Sequence, residues 1–145
     1  MPLTKEQAAE LTVLVVDDEQ FMRQLISLVL KEIGITKIVE ARDGAHGLNT
    51  LAREEETPDI IICDLEMPGI DGFEFVKKLR AAKNPKFKDL PVLIVTGHAD
   101  SENVVSAVQA GIHGYVVKPV SRNILEQRID AALSSGPIDP SRMKG

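Results

Sequence analysis

The chain has little of several things, and each scarcity excludes something. Among its 145 residues there is one cysteine, Cys63, so no intrachain disulfide can form and no disulfide framework holds the fold. There is no tryptophan, and with only 3% aromatic residues the core falls to Val, Ile and Leu. No uninterrupted apolar run approaches the roughly 20 residues that span a bilayer. The start Met1-Pro2-Leu3-Thr4-Lys5-Glu6 lacks the apolar stretch of a secretory signal. A cytoplasmic chain without membrane insertion is expected. Basic clusters are missing too: the formal charge is −5, and no run of Lys or Arg could neutralise several phosphates, which disfavours a nucleic-acid-binding role.

What is present is hydrophobic punctuation at a regular interval. Short apolar runs at 13–16, 38–39, 60–63, 92–95 and 115–117 alternate with segments of helical spacing, such as Phe21, Leu25, Leu28 and Val29, or Phe73, Val76, Lys77 and Leu79. Runs such as Leu14-Val15-Val16 and Ile60-Ile61-Ile62 lack polar alternation, as strands do when helices cover both faces of a parallel sheet. Five strands and five helices in an α/β, doubly wound parallel sheet are therefore predicted, with Gly34 stopping the first helix. Pro58, Pro68-Gly69, Asp71-Gly72, Pro85 and Pro91 mark joins, and 83–89 is a polar connection before the fourth strand. One domain over 11–134 is expected, with an N-terminal extension at 1–10 and a flexible tail at 135–145.

In an open parallel sheet ligands bind outside the carboxyl ends of the strands. Strand one ends in Asp17-Asp18, strand three in Asp64, strand four in Thr96 and strand five in Lys118-Pro119. Three carboxylates brought together repel: two unit charges ~4 Å apart cost on the order of 4 kcal/mol at an effective dielectric of about 20. Such a site wants a cation, and all-oxygen ligands without nearby His or Cys suit Mg2+. With the ion between Asp17, Asp18 and Asp64, a carboxylate nucleophile becomes feasible. Asp64, central in the predicted sheet, is the best placed acceptor of a phosphoryl group, with Thr96 and Lys118 on the remaining phosphoryl oxygens.

Four separated motifs, Val-Val-Asp-Asp-Glu at 15–19, Asp-Leu-Glu-Met-Pro-Gly-Ile-Asp-Gly at 64–72, Val-Thr-Gly at 95–97 and Gly-Tyr-Val-Val-Lys-Pro at 114–119, resemble those of two-component response-regulator receivers in the same order. The resemblance covers about residues 10 to 134. Within the family the chain is most similar to the stand-alone chemotaxis regulator, through Phe-Met-Arg at 21–23 and Glu-Asn-Val-Val-Ser-Ala-Val-Gln-Ala-Gly at 102–111.

The resemblance implies a flavodoxin-like sheet of order 2-1-3-4-5. It implies Mg2+ bound directly by Asp18, largely through water by Asp17, by Asp64, and by the backbone carbonyl of Glu66, with Asp64 phosphorylated. It also implies that Thr96 shifts toward the phosphoryl group and Tyr115 turns inward, altering the surface of the fourth helix, fifth strand and fifth helix, which would bind a target. The implied partners are a sensor histidine kinase or histidine phosphotransfer protein and a downstream target protein. The implied state is a monomer, with dimerisation on phosphorylation left open. Such a chain is a signalling switch that promotes its own phosphorylation and dephosphorylation rather than an enzyme with an external substrate. It departs from the family pattern at Glu66, Gly97, His98 and Val120.

Other readings stand beside these. Asp18 could cap the following helix, Asp64 could form a turn, Thr96 could be a plain strand residue, Lys118 a solvated lysine, and Tyr115 a half-buried residue with a satisfied hydroxyl. Pro119 could fix its loop through a cis bond. Cys63 reads as a buried strand residue, and His46, His98 and His113, which share no metal-ligand spacing, as exposed loop or helix residues. Val104 and Val105 cannot both face inward on one helix, so one is expected to be exposed. As function, a phosphorelay shuttle passing phosphate to a histidine is the nearest alternative. An aspartyl-phosphate-forming phosphatase is a more distant one, and a flavin-binding module more distant still.

Overall fold

Val13 and Val15 are buried on one face of the central sheet and Leu14 and Val16 on the other, so β1 (Thr12–Val16) is sheltered on both sides, as its continuous apolar run requires. The computed structural model describes residues 3–53, 57–97 and 102–139. Its other strands are β2 (Lys37–Ala41), β3 (Ile60–Asp64), β4 (Val92–Thr96) and β5 (Gly114–Val117), all paired in parallel in the order β2-β1-β3-β4-β5. The predicted fold class and strand order are those observed.

The helices are α1 (Lys5–Glu10), α2 (Gln20–Ile33), α3 (Gly44–Arg53), α4 (Gly72–Ala81), α5 (Glu102–Ala110) and α6 (Arg122–Ser134), with a 3-10 turn at Pro85–Phe87. One apolar cluster joins α3, α4 and α5 to the sheet through residues such as Leu51, Phe75 and Val104. The other joins α1, α2 and α6 through Ala8, Ile26 and Leu125. Each fully buried Leu, Ile or Phe here contributes on the order of 1.5–3 kcal/mol, so the two layers together fix which side of each strand faces which helices.

The structure corrects four expectations. The described residues form six helices, not five: the 1–10 extension contains α1, capped by a reciprocal pair in which the Gln7 N–H donates to Thr4 Oγ1 and the Thr4 N–H to Gln7 Oε1, both at 3.0 Å. Ala8, fully buried, packs this helix beside Gly34, whose left-handed backbone (φ 113°) ends α2 as predicted. Secondly, the inward face of α2 is Ile26, Val29, Leu30 and Ile33. Phe21 and Leu28 are 73% and 55% exposed, because two overlapping apolar stripes compete on this helix and the stripe spaced 26, 29, 30, 33 meets the sheet.

Thirdly, the tail is not free from residue 135 onward: the Ile138 N–H donates to the Ile112 carbonyl at 2.9 Å, and the Ile138 side chain packs against the α3–α5 layer. Finally, His113 is buried, not exposed, and His46 is half-buried on α3, where its Nδ1 accepts the Arg42 N–H. His98 lies outside the described residues. Val104 is buried and Val105 exposed, as the helical geometry demanded. The Lys118-Pro119 bond is cis and Cys63 is a free, buried thiol. Among the described residues, no helix is long and apolar enough to cross a membrane.

Candidate functional site

Parallel pairing aligns the carboxyl ends of β1, β3, β4 and β5 along one edge, and with them the polar residues that end each apolar run. Asp17, Asp18 and Asp64 each offer a carboxylate oxygen there, and these oxygens all lie within 4.8 Å of one another. Asp17 is fully buried and Asp64 nearly so, while Asp18 is exposed at the mouth. The Lys118 ammonium reaches Asp64 Oδ1 at 3.6 Å, and the Glu66 N–H donates to the same oxygen at 3.3 Å. Thr96, fully buried, ends β4, and its carbonyl accepts the Lys118 N–H at 2.8 Å, which ties the lysine to the strand beside Asp64.

The electrostatics are those of a site short of positive charge. Burial pushes the Asp64 carboxyl up from 3.8 to about 6, the nearby Asp17 charge adds to the rise, and Lys118 with the Glu66 N–H offsets part of it. Burial also raises Asp17, against the hydrogen bond that its Oδ1 accepts from the Glu19 N–H at 2.9 Å. Asp17 Oδ2 is buried without a hydrogen-bond partner among the described residues. A buried carboxylate oxygen with no donor among the described residues, on a side chain clustered with two further carboxylates in an all-oxygen set, fits a hard divalent cation.

The structure places the Asp17, Asp18 and Asp64 carboxylates and the Lys118 ammonium close together, with Thr96 at the neighbouring strand end. Glu66 is exposed and joins the group through its backbone N–H. Tyr115 stands apart from the carboxylates, half-buried on β5 opposite Ile94 and packed against the α3–α5 layer. Two contributors were not legible as such. Gly72 opens α4 against the loop that follows Asp64, where an added Cβ would sit 2.6 Å from the Asp64 carbonyl oxygen. Arg23 on α2 donates from Nη1 to the Asp17 carbonyl at 2.7 Å. The Phe-Met-Arg triplet held the signal for Arg23, but only the fold shows what it grips.

A separate cleft of about 350 Å³ opens at the opposite, amino end of the sheet, between Thr12, Lys37, Val39, Leu51 and Pro58. Among the described residues that line it there is no carboxylate, and the convergence of charge at the other edge outweighs its size as the mark of a functional site.

Residues 13–130 match the family described as "Response regulator receiver domain". The chemotaxis protein CheY of Pseudomonas aeruginosa is 37% identical over 118 residues, 81% of this chain and 92% of that protein. A CheY homolog of Campylobacter jejuni is 35% identical over 123 residues, 85% of this chain and 92% of that one. Among solved structures, chemotaxis protein CheY4 of Vibrio cholerae superposes with a TM-score of 0.76 at 32% identity, covering 85% of this chain and 98% of that one.

Proposed function

Because this chain belongs to the response regulator receiver family, we propose that it is a phosphorylation-dependent signalling switch whose acceptor is Asp64. The single observation that carries this reading is the packing of three carboxylate oxygens within 4.8 Å at the sheet edge, with Lys118 on the central one. Asp17, Asp18 and Asp64 side chains, with the Glu66 carbonyl, would hold Mg2+. The ion's chemistry when bound is to neutralise charge on the carboxylates and on the incoming phosphoryl oxygens.

The chain's own residues do the rest. The Asp64 carboxylate attacks phosphorus, forming an O–P bond as the bond from phosphorus to the donor breaks. The donor is the phosphohistidine of a sensor kinase or phosphotransfer protein, whose imidazole leaves and takes up a proton. Lys118, already 3.6 Å from Asp64, binds a phosphoryl oxygen, and the Thr96 hydroxyl donates to another. Each bond exists only in the phosphorylated state, so each biases the population toward the conformation that makes it. Thr96 and Tyr115 then couple the edge to the surface of α5, β5 and α6, where Val105 and Val117 are 40% and 41% exposed and available to a target protein. The two curated relatives described above are chemotaxis proteins, which supports a target in motility.

Incubation with acetyl phosphate and Mg2+, followed by intact mass and peptide mapping, tests the reading. One phosphoryl group on Asp64 is expected, absent in Asp64→Asn and in chelator. Modification at another residue, or none, would overturn it.

A further inference from the structure

We infer that Arg23 is a positioning residue for the divalent-cation site, acting through the peptide that joins Asp17 to Asp18; this rests on the reading of the three carboxylates as a cation site. Asp17 is gripped at three points. Its N–H donates to the Ala41 carbonyl at 3.1 Å, its Oδ1 accepts from the Glu19 N–H at 2.9 Å, and its carbonyl accepts from Arg23 Nη1 at 2.7 Å. That carbonyl is the oxygen of the Asp17-Asp18 peptide. A peptide unit is planar, so fixing its oxygen fixes the plane from which the Asp18 side chain departs. No hydrogen bond among the described residues holds the Asp18 carboxylate itself, so the restraint on it begins at this peptide, which sets where the Asp18 backbone and side-chain torsions start.

Arg23 is itself held. Its Nε donates to Glu40 Oε1 at 3.1 Å, and its own side chain is only 15% exposed, so the arm that reaches the Asp17 carbonyl is partly buried while the arm to Glu40 lies at the surface. Glu40 and Ala41 are consecutive residues of β2. The edge strand therefore holds Asp17 twice, directly through Ala41 and indirectly through Glu40 and Arg23. Among the described residues, Arg23 bonds Glu40 and the Asp17 backbone, and neither side chain bonds any of the three carboxylates; their effect is on where two ligands point.

An electrostatic role and a positioning role differ in sign. Removing a positive guanidinium beside an anionic cluster would tighten cation binding if charge were what mattered. Loss of the fork would weaken it. The test is a Mn2+ titration of the full chain followed by electron paramagnetic resonance, comparing wild type, Arg23→Met, Arg23→Lys and Glu40→Gln. Loss of an outer partner of a metal ligand typically costs 10- to 100-fold in affinity, so Arg23→Met should weaken Mn2+ binding by about 10-fold. Arg23→Lys should fall between wild type and Arg23→Met, since an ammonium cannot fork. Glu40→Gln, altered at a side chain 43% exposed, keeps the fold secure and should show a smaller loss in the same direction.

With acetyl phosphate, Arg23→Met should need more Mg2+ for half-maximal phosphorylation yet reach a rate within about twofold of wild type at saturation, since affinity, not the transition state, is changed. Unchanged or tighter Mn2+ binding in Arg23→Met, with wild type binding normally, would overturn the positioning role alone. So would a rate deficit that saturating Mg2+ does not restore. Failure of wild type itself to take up Mn2+ would overturn the cation reading and this role with it.

Discussion

Lys118 and Asp64 face each other at 3.6 Å across the ends of two strands that are not neighbours, β5 and β3, with β4 between them. Lys118 lowers the Asp64 carboxyl against burial and the Asp17 charge, both of which raise it. Lys118→Met should therefore push the Asp64 carboxyl above its present value of about 6, read from its carbon-13 chemical shift in metal-free buffer. It should also slow phosphorylation from acetyl phosphate by on the order of 10²-fold, the scale at which removal of one charge-stabilising donor is felt. An unmoved titration would mean that the ion pair does not persist in solution.

Asp64→Asn should stabilise the metal-free protein at neutral pH. The native state holds the Asp64 proton up to about 6 against an ordinary 3.8, so the residue's contribution to stability is full below 3.8 and is lost as pH rises through about 6. The neutral amide escapes that loss. In chelator, its advantage by denaturant unfolding should be small at acid pH and grow to roughly 1–3 kcal/mol above neutrality. A constant difference across the range would contradict the assignment.

His113 should remain neutral far below the usual range. Burial, then the Arg80 charge, holds its imidazole down from 6.5 to about 4, and its Nδ1 lies 3.4 Å from the Val92 N–H as an acceptor. The unfolded chain binds this proton near 6.5 and the native state does not. The contribution to stability is thus full above 6.5 and lost as pH falls toward 4. Proton NMR of the imidazole should show no titration near 6.5 in the folded protein.

Gly72→Ala should distort the loop that follows Asp64. The new Cβ would meet the Asp64 carbonyl oxygen at 2.6 Å and the Leu65 Cα at 2.8 Å, and both are backbone atoms that cannot swing aside. A loss of about 1–3 kcal/mol is expected by denaturant unfolding. Gly136→Ala, with open space around it, should change stability by less than about 0.5 kcal/mol.

The strands and the grouping of the candidate site's residues were legible in the sequence for one reason: a strand buried on both faces must read as an uninterrupted apolar run, and the polar residue that ends the run must lie at the sheet's edge. Elements whose burial rests on few atoms were harder to read. α1 turns one alanine inward, and a single methyl carries no periodic signal, although the Thr4–Gln7 pair was there to be recognised as a cap. On α2 apolar residues occupy two stripes, and only the position of the sheet decides that Phe21 stays in water. His113 looked polar and exposed because its neighbours in space, not in sequence, bury it. Arg80 belongs to the same class: its guanidinium donates to the carbonyls of Gly111 and Phe87, a link between two loops that no local pattern announces.

The hydrogen bond from Ile138 to Ile112 has a practical consequence for labelling. It holds the chain, beyond α6, beneath the amino ends of the strands, whereas the carboxylates occupy the other rim. Strands of four or five residues rise about 3.3 Å per residue, so the two rims are separated by roughly 13–17 Å. A fluorophore attached at Asp139 would be held on the far rim, leaving the cleft clear for donors while reporting on release of the docked segment.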